Sequence, residues 1–518
     1  MSYLLSRNNF TQFTNTRVIV GVLGAYTVAK LTYLAFFNPL NVIPGPWWAR
    51  FTSIPHSISL LRGTIIEFVT EIHEKYGSVV RINPDGVSIS RGSDIRKVLA
   101  SYKYEKGTKS SNMNEIHEDI FTTRNESFNR MRRMQVAPAF THSGLSTVED
   151  LIFEVGVESL MSKIDEEIRN NGGKFTIINY FNKFQTTSAD IISELALGNN
   201  IHSIRDGGHY IIDFVNIEMQ LMAMRSAIPF LTILSFIIPK IMKLRIQGIN
   251  FSLDAIKERK KLIEENRYKS KRDDILHMYI TAINSTNQKL LSDSELISEL
   301  LLMIGAGTDT TSTTMTWILH FYMLYPDVYK KVVDEINDAF PDKSKPIRHQ
   351  EARKNLVYFT ATVYESMRLQ PVSGSPTYRM SSEEGVLLEE NIFIPPNTEM
   401  GLFIQGAHMD EDIWKNSKSF NPDRFLGEEG EKLKKEVLVF GAGVRICPGR
   451  NLAWLEILTI LPNLIRKYEF KLPEESILGP QHVDEITGEP ILAKSRAYIV
   501  TAPKYPQRDC NIVISHKI

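Results

Sequence analysis

Cysteine is nearly absent from this chain, which has two, Cys447 and Cys510, among 518 residues. A disulfide framework needs several paired cysteines, so disulfides do not hold this fold together. The 12 histidines form no His-Glu-x-x-His sequence, and Cys510 has neither a partner cysteine nor a glycine turn, which argues against zinc. Cys510 is therefore interpreted as structural or free, whereas Cys447 lies in an unusual loop.

An excess of charge of one sign is also missing, because 60 basic residues balance 60 acidic ones. The chain therefore has no global charge that favours nucleic acid, and no nucleic-acid partner is expected. Linkers rich in proline, glycine or serine are absent after the first fifty residues. With 43% apolar residues to form a core, residues 51–518 are predicted to be one large folded unit.

The amino-terminal part has one long apolar run, residues 18–37, after a short tail of residues 1–17. At about 1.5 Å per residue a helix of this length crosses the hydrocarbon core, so the run is predicted to be a transmembrane anchor. Lys30 lies inside it, and an interfacial or cleaved segment is the alternative. Pro44-Gly45-Pro46 cannot continue a helix, so residues 38–50 are predicted to be a proline-rich hinge.

Strand-like spacing is rare in the rest of the chain. Residues 78–90 contain two β-rich runs around a Pro-Asp-Gly turn, which is a hairpin signal. Most of residues 94–368 have helical spacing. The prediction is a mainly α fold with a small β part (α+β) near each end.

Residues 211–242 are unusually apolar. The run between Pro229 and Pro239 is too short to span a bilayer. It is predicted to be either a core helix or a surface that dips into a membrane.

A long helix is predicted from Ser292 to Leu324. Ser292-Asp-Ser-Glu295 is a capping-box sequence, the residues after it are apolar at helical spacing, and Pro326 ends the pattern. The middle of this helix, residues 305–314, is instead rich in glycine, threonine and serine, which are poor helix formers. Such a helix is often distorted beside a cavity or ligand, although polar residues that face water give the same pattern.

Cys447 lies in the glycine-rich sequence FGAGVRICPGR, from Phe440 to Arg450, and helical spacing follows from Asn451 to Leu461. A thiol at the start of a helix meets the positive end of the helix dipole and free amide groups, which favour the thiolate. Amides after the cysteine can also donate to the sulfur and tune its bond to a metal. A lone cysteine is usually an inert buried side chain, but this loop indicates a metal ligand.

At this loop the sequence resembles the cytochrome P-450 family. The fixed positions of the family's haem-binding loop are matched by Phe440, Gly443, Arg445, Cys447 and Gly449. The resemblance implies the cytochrome P-450 fold, with a long central helix over the haem. It also implies haem b as the cofactor, with the Cys447 thiolate as axial ligand to the iron and residues 51–518 as the haem-thiolate monooxygenase domain.

Further motifs of the family occur earlier in the chain, in the family's order. Glu365-Ser-Met-Arg368 matches Glu-x-x-Arg and, by resemblance, forms a buried ion-pair triad with Arg424 that fixes the cysteine loop. Asp309 and Thr310 match the family's distal motif, so the resemblance makes them the catalytic acid and alcohol that deliver protons where O₂ is activated. The implied reaction inserts one oxygen atom into a substrate and releases the other as water.

The haem propionates need cationic partners, and bidentate arginine suits a carboxylate. By alignment to the family's motifs, the candidates for this role are Arg132, Arg379 and Arg445, and His408 is a further candidate. The family usually has tryptophan where this chain has Phe128. Since phenylalanine cannot donate a hydrogen bond, one propionate contact is expected to differ.

The resemblance also implies partners. Membrane-anchored relatives take electrons from NADPH–cytochrome P-450 reductase, so NADPH is expected to act indirectly, and cytochrome b5 is a second candidate donor. Arg130, Arg133 and Arg450 are candidates for a basic docking patch. The expected location is the endoplasmic reticulum membrane, with one membrane pass and a cytosolic catalytic domain.

The expected substrate is a lipophilic small molecule. One alternative is a haem-thiolate isomerase or dehydratase, which uses the same fold and cysteine but needs no reductase. The other is a non-catalytic haem-binding sensor or carrier, which binds haem without NADPH-dependent turnover. The acid and alcohol at Asp309 and Thr310 argue against both.

Overall fold

The structure is a computed structural model that describes residues 3–114, 116–146, 148–268, 274–283 and 288–517. For residues 3–17, 142–143, 231–232 and 234–235 it describes the backbone alone. About 60% of the chain is helical and the sheets are small. The predicted mainly α fold with a small β part is therefore confirmed.

The longer helices surround one central helix, α10. In chain order the helices of eight or more residues are α1 (Tyr3–Thr32), α2 (Ile54–Arg62), α3 (Ile65–Tyr76), α4 (Gly92–Leu99), α5 (Glu126–Phe140), α6 (Ser159–Asn170), α7 (Tyr180–Leu197), α8 (Tyr210–Ala227), α9 (Pro239–Glu264), α10 (Asp293–Leu324), α11 (Pro326–Ala339), α12 (Val357–Leu369) and α13 (Arg450–Lys467). Shorter α-helices span Thr108–Ser111, His142–Ser146, Glu149–Leu151, Ser203–Asp206, Ile233–Ile237, Ile275–Thr281, His349–Asn355, Ile404–His408, Gly427–Leu433 and Pro506–Asp509. Helices α7, α8, α9, α12 and α13 all pack against α10.

The strands form small sheets near the two ends of the chain. They are β1 (Val79–Asn83), β2 (Gly86–Ile89), β3 (Phe175–Asn179), β4 (Thr377–Met380), β5 (Val386–Leu387), β6 (Phe393–Ile394), β7 (Glu399–Leu402), β8 (Tyr468–Lys471), β9 (Ser495–Ala497), β10 (Thr501–Pro503) and β11 (Asn511–His516). The larger sheets have the orders β1-β2-β7-β4 and β3-β11-β8. The predicted hairpin is β1 with β2, which pair antiparallel, whereas β2 and β7 pair in parallel.

The amino-terminal helix includes the predicted anchor. Residues Val18–Phe37 have a mean hydropathy of 1.6 and are 6% buried, so by length and composition they suit a membrane span. The hinge after them is attached to the folded unit, because Pro44 O accepts a hydrogen bond from Arg81 N–H (2.7 Å). A Cβ on Gly45 would lie 2.5 Å from Arg81 O, so this close approach requires glycine. The predicted boundaries of tail, anchor, hinge and main domain stay predictions.

Helix α10 begins and ends as predicted. Ser292 and Glu295 form the capping box, with Ser292 N–H donating to Glu295 Oε2 (2.9 Å). Helix α10 is continuous through its polar middle, and the distortion expected there stays a prediction. The Thr310 hydroxyl donates to Ala306 O (2.8 Å), a local bond of the kind that often bends a helix. A Cβ on Gly307 would lie 2.4 Å from the Ile192 side chain, so glycine here lets α7 pack closely.

The predicted buried triad is present next to α12. The Glu365 carboxylate accepts from Arg368 Nε and Nη2 at 2.8 Å and from Arg424 Nε at 3.1 Å. Glu365 and Arg368 have no exposed side-chain surface. These charges therefore satisfy each other in the interior, where an unpaired charge would be costly.

Helix α13 extends beyond the predicted end at Leu461, through Pro462, to Lys467. A proline inside a helix removes one hydrogen bond to a carbonyl one turn earlier. The Asn463 side chain, which follows the proline, donates from Nδ2 to Thr459 O (2.7 Å) and to Ile347 O (2.9 Å). The main apolar core lies around this helix, between α6, α7, α10, α12 and α13.

Candidate functional site

An internal cavity of about 470 Å³ lies between α10 and the loop that precedes α13. The Cys447 side chain opens onto it from the loop, and Thr310 lines it from α10. Phe440 and Gly449 of the same loop line it as well. The cavity therefore joins the two motifs that the sequence analysis singled out.

The loop that carries Cys447 has a fixed backbone. Cys447 N–H donates to Phe440 O (2.8 Å) and closes the loop. Gly443 has a φ of +62°, and a Cβ there would lie 2.2 Å from Leu99 O. Gly443 does not line the cavity, so its part is to let the loop pack against the end of α4.

Two opposing effects act on the Cys447 thiol. The side chain faces the cavity but is enclosed by protein, and this burial raises its pKa. Hydrogen bonds from the amides of Gly449 and Arg450, and the nearby charge of Arg133, lower the pKa. The same amides are suitably placed to donate to a metal-bound sulfur.

A cluster of basic side chains lines the cavity beside the loop: Lys106, Arg133, Arg379 and Arg445. Burial and the nearby charge of Arg445 lower the pKa of Arg379 to about 10 and lower that of Lys106 well below its usual value. Arg445 Nε donates to both oxygens of Glu126 (3.1 and 2.9 Å), whereas its Nη1 is buried without a hydrogen-bond partner. The basic cluster thus has unused capacity for an anion.

These residues fit haem b. Its two propionate carboxylates match the basic cluster, in which Arg445 Nη1 still needs an acceptor. The Cys447 sulfur is the soft donor for iron, and the glycines around it leave room for a flat ligand. Lys106 was not predicted as a site residue from the sequence, because it lies in an irregular loop that has no recognisable motif.

The structure corrects the expectation for Arg132. Its guanidinium is fully buried away from the cavity, with Nη2 2.5 Å from Glu295 Oε1 and Nε 3.3 Å from Glu299 Oε1. Asn129 and Arg133, one helical turn apart on α5, line the cavity instead. Adjacent residues of a helix point about 100° apart, so Arg133 faces the cavity and Arg132 faces α10. Because Arg133 faces the cavity, its side chain is not available for the basic docking patch that was expected to include it.

His408 is also corrected. Its Nδ1 lies 3.1 Å from Arg368 O, and its Nε2 accepts from Leu438 N–H at 2.8 Å. The ring is fully buried, does not line the cavity and has both nitrogens in use. His408 therefore supports the cysteine loop from behind and has no free donor for a propionate.

The two predicted catalytic side chains of α10 point in different directions. Thr310 lines the cavity, whereas Asp309 faces α7 and accepts a hydrogen bond from Gln185 Nε2 (3.2 Å). Burial raises the pKa of Asp309 to about 6, and the bond from Gln185 and the charge of Arg496 oppose this rise. A second carboxyl, Glu456, does line the cavity, and burial raises its pKa to about 8. Glu456 was not predicted from the sequence.

Comparison with known proteins identifies the family of this chain. The chain belongs to the cytochrome P450 family, whose model matches residues 43–491. It is 33% identical to cytochrome P450 monooxygenase helB1 of Aspergillus fumigatus over 98% of this chain and 88% of that protein. It is 32% identical to helB2 of the same fungus, over 95% of this chain and 97% of that protein. The family and these relatives support a cytochrome P450 monooxygenase.

Solved structures show the same fold. A crystal structure of a cytochrome P450 (CYP102L1) superimposes with a TM-score of 0.70 at 18% identity. The match covers 87% of this chain and 94% of that one. The predicted cytochrome P-450 fold is therefore confirmed.

The substitution Asp309→Asn tests the charge of the buried carboxyl. Its folded-state pKa of about 6 lies above the ordinary value of 3.8, so the folded protein holds the proton more tightly and loses stability as the pH rises between these values. Removing the carboxyl should stabilise the protein at about pH 8 by on the order of 2–3 kcal/mol, and much less at about pH 4. Thermal unfolding at both pH values measures the difference, and an equal change at both would contradict the assignment.

Proposed function

We propose that this protein is a haem-thiolate monooxygenase that inserts one atom of O₂ into a lipophilic small molecule. The second oxygen atom leaves as water, with two electrons and two protons supplied during the cycle. The observation that carries the proposal is the single cavity onto which Cys447, Thr310 and the basic cluster all open. Apolar side chains such as Ile116, Phe214 and Leu301 line the rest of its wall, which suits a lipophilic substrate.

Each part of the cavity wall has a proposed task. The Cys447 sulfur ligates the iron, and the amides of Gly449 and Arg450 stabilise its negative charge. The basic cluster holds the propionates. Haem, when bound, supplies the redox chemistry that activates O₂. The protein contributes the ligand, the orientation and the proton supply.

Proton supply is proposed for the polar middle of α10. The Thr310 hydroxyl lies in the cavity wall, and its bond to Ala306 O fixes where the oxygen points. Asp309 is the next residue and has a pKa of about 6, so it exchanges protons near neutral pH. We infer that the Thr310 hydroxyl would hold a proton at the cavity wall and that Asp309, on the α7 side of the same helix turn, would be the nearby acid that resupplies it.

The first test is Cys447→Ala. Because a thiolate ligand is needed for the red-shifted Soret band of the reduced carbon monoxide complex, the variant should lose that band. The matched control is Cys510→Ala, which removes the second thiol; Cys510 is fully buried and does not line the cavity. A Cys447→Ala protein that keeps the band would refute the ligand assignment.

The second test is Thr310→Ala, assayed with NADPH and NADPH–cytochrome P-450 reductase, the proposed electron donor. Without the hydroxyl, more of the NADPH consumed should yield hydrogen peroxide and less should yield product. Thr308→Ala is the control, because Thr308 is on the same helix but does not line the cavity. Unaltered coupling in Thr310→Ala would contradict the proton supply, and product formed without NADPH would indicate an isomerase or dehydratase.

Membrane attachment is proposed for two surfaces. The first is the apolar helix Val18–Phe37. The second is an apolar surface made of Phe230, Ile233, Phe236 and Ile237, which are 71%, 62%, 55% and 66% exposed. The first half of the apolar stretch, by contrast, is core, as one of the two alternatives for residues 211–242 predicted.

The apolar surface lies near the start of the folded unit. Ser57 of α2 donates to Ala227 O, at the end of the helix that precedes this surface (3.3 Å). We propose that both surfaces contact the endoplasmic reticulum membrane and leave the catalytic domain in the cytosol. Cytochrome b5 is a second proposed electron donor.

Vesicle flotation tests the second surface. A chain without residues 1–37 should still float with phosphatidylcholine vesicles, because four large apolar side chains remain exposed. The double substitution Phe230→Ser and Ile237→Ser should weaken flotation. Ile486→Ser is the control, since Ile486 is 94% exposed but lies elsewhere in the chain. Equal flotation of all three proteins would contradict the proposal.

A further inference from the structure

The partners of Arg132 form a cluster that does not line the cavity. We define the Glu299 cluster as Arg132, Tyr279, Glu295 and Glu299. Arg132 comes from α5, the two glutamates from the first turns of α10, and Tyr279 from the helix Ile275–Thr281. Arg132, Tyr279 and Glu299 are fully buried.

Both oxygens of Glu299 are in use. Oε1 accepts a hydrogen bond from Ile120 N–H (3.1 Å) and faces Arg132 Nε (3.3 Å). Oε2 accepts from the Tyr279 hydroxyl (3.1 Å). A buried carboxylate needs such partners, because leaving it unpaired in the interior is costly. The main-chain N–H of Ile120 is thus hydrogen-bonded to the same carboxyl oxygen that faces Arg132.

Ile120 belongs to a wall segment, residues 117–121, that borders the cavity. His117, Asp119, Ile120 and Phe121 all line it. Residues 117–121 themselves contain no α-helix or strand, and they lie between the helices Thr108–Ser111 and α5. Its position therefore depends on bonds to neighbouring elements.

The wall segment is hydrogen-bonded to two helices that line the cavity, α10 and α5. His117 N–H donates to Ser298 Oγ (3.1 Å), next to Glu299 on α10. Asn129 of α5 donates from Nδ2 to Ile120 O (2.7 Å). The wall segment is therefore held by α10, which carries Thr310, and by α5, which carries Arg133.

We propose that Glu299 is a positioning residue that fixes the wall segment against α10 and thereby sets how tightly the cavity holds bulky ligands. Arg132 faces Glu299 Oε1 and helps to orient the carboxyl group, and Arg132 does not line the cavity. The inference rests on the proposed function, because it takes this cavity as the ligand site. It adds a selectivity role for residues outside the cavity wall.

Two azoles of different size test this role in the full-length, haem-loaded protein. Imidazole binds the iron and is too small to reach across the cavity, whereas clotrimazole carries three aryl rings on an imidazole. Glu299→Leu removes the acceptor for Ile120 N–H and should raise the spectral Kd for clotrimazole about tenfold, with the Kd for imidazole unchanged. Glu299→Gln keeps an acceptor oxygen and should stay within about threefold of wild type.

Matched controls separate positioning from general stability. Tyr279→Phe removes one bond to Glu299, and Tyr322→Phe removes a comparable buried bond from α10 to Thr362, away from the cavity. Glu335→Leu removes a carboxylate that accepts two main-chain N–H groups elsewhere. The two controls, Tyr322→Phe and Glu335→Leu, should lower the melting temperature without changing the Kd for either azole. Tyr279→Phe should raise the clotrimazole Kd about two- to threefold.

Several results would overturn the proposal. One is an unchanged clotrimazole Kd in both Glu299→Leu and Tyr279→Phe. Another is an equal change in both azole affinities, which would place the effect at the iron. Loss of haem from Arg132→Met would instead make Arg132 a cofactor ligand. Wild-type protein that binds neither haem nor azoles would refute the proposed function itself, which is a different outcome.

Discussion

The carboxylate of Glu365 lies in the interior with both oxygens bonded to guanidinium groups. Burying a charge is tolerated when its partners are in place, so this group fixes the chain segments that supply them. Arg368 extends the fixed region, because it donates to His408 O (2.9 Å), and the His408 ring joins Arg368 O to Leu438 N–H. The Cys447 loop follows directly after Leu438. One ion-pair group thus determines where the thiol can lie.

In the haem site, burial disfavours a negative charge on Cys447 and a positive charge on the basic cluster. On the loop, burial opposes the Cys447 thiolate, and amides and arginine charge favour it. Beside it, burial and mutual repulsion depress the pKa values of Lys106 and Arg379. A cofactor with a cationic centre and anionic edges relieves both conditions at once. The Cys447 thiol and the basic groups therefore favour the same kind of cofactor.

The sequence predicted the features that local motifs determine. The capping box at Ser292, the hairpin and the Cys447 loop each depend on residues close together in the chain, and each has its expected structure. The assignment of Arg132 failed because the rotation of a helix about its axis is set by packing against other helices, which a motif does not contain. Lys106 and Glu456 reach the cavity through long-range packing, so no sequence pattern indicated either.

We propose that one cavity holds haem between Cys447 and α10, with its propionates on the basic cluster. Anomalous diffraction at the iron edge, from crystals of the haem-loaded protein, tests this directly. We predict an iron peak bonded to Cys447 Sγ and propionates against Arg133, Arg379 and Arg445, with Arg132 still paired to Glu299. An iron peak away from Cys447, or a propionate bonded to Arg132 or His408, would contradict it.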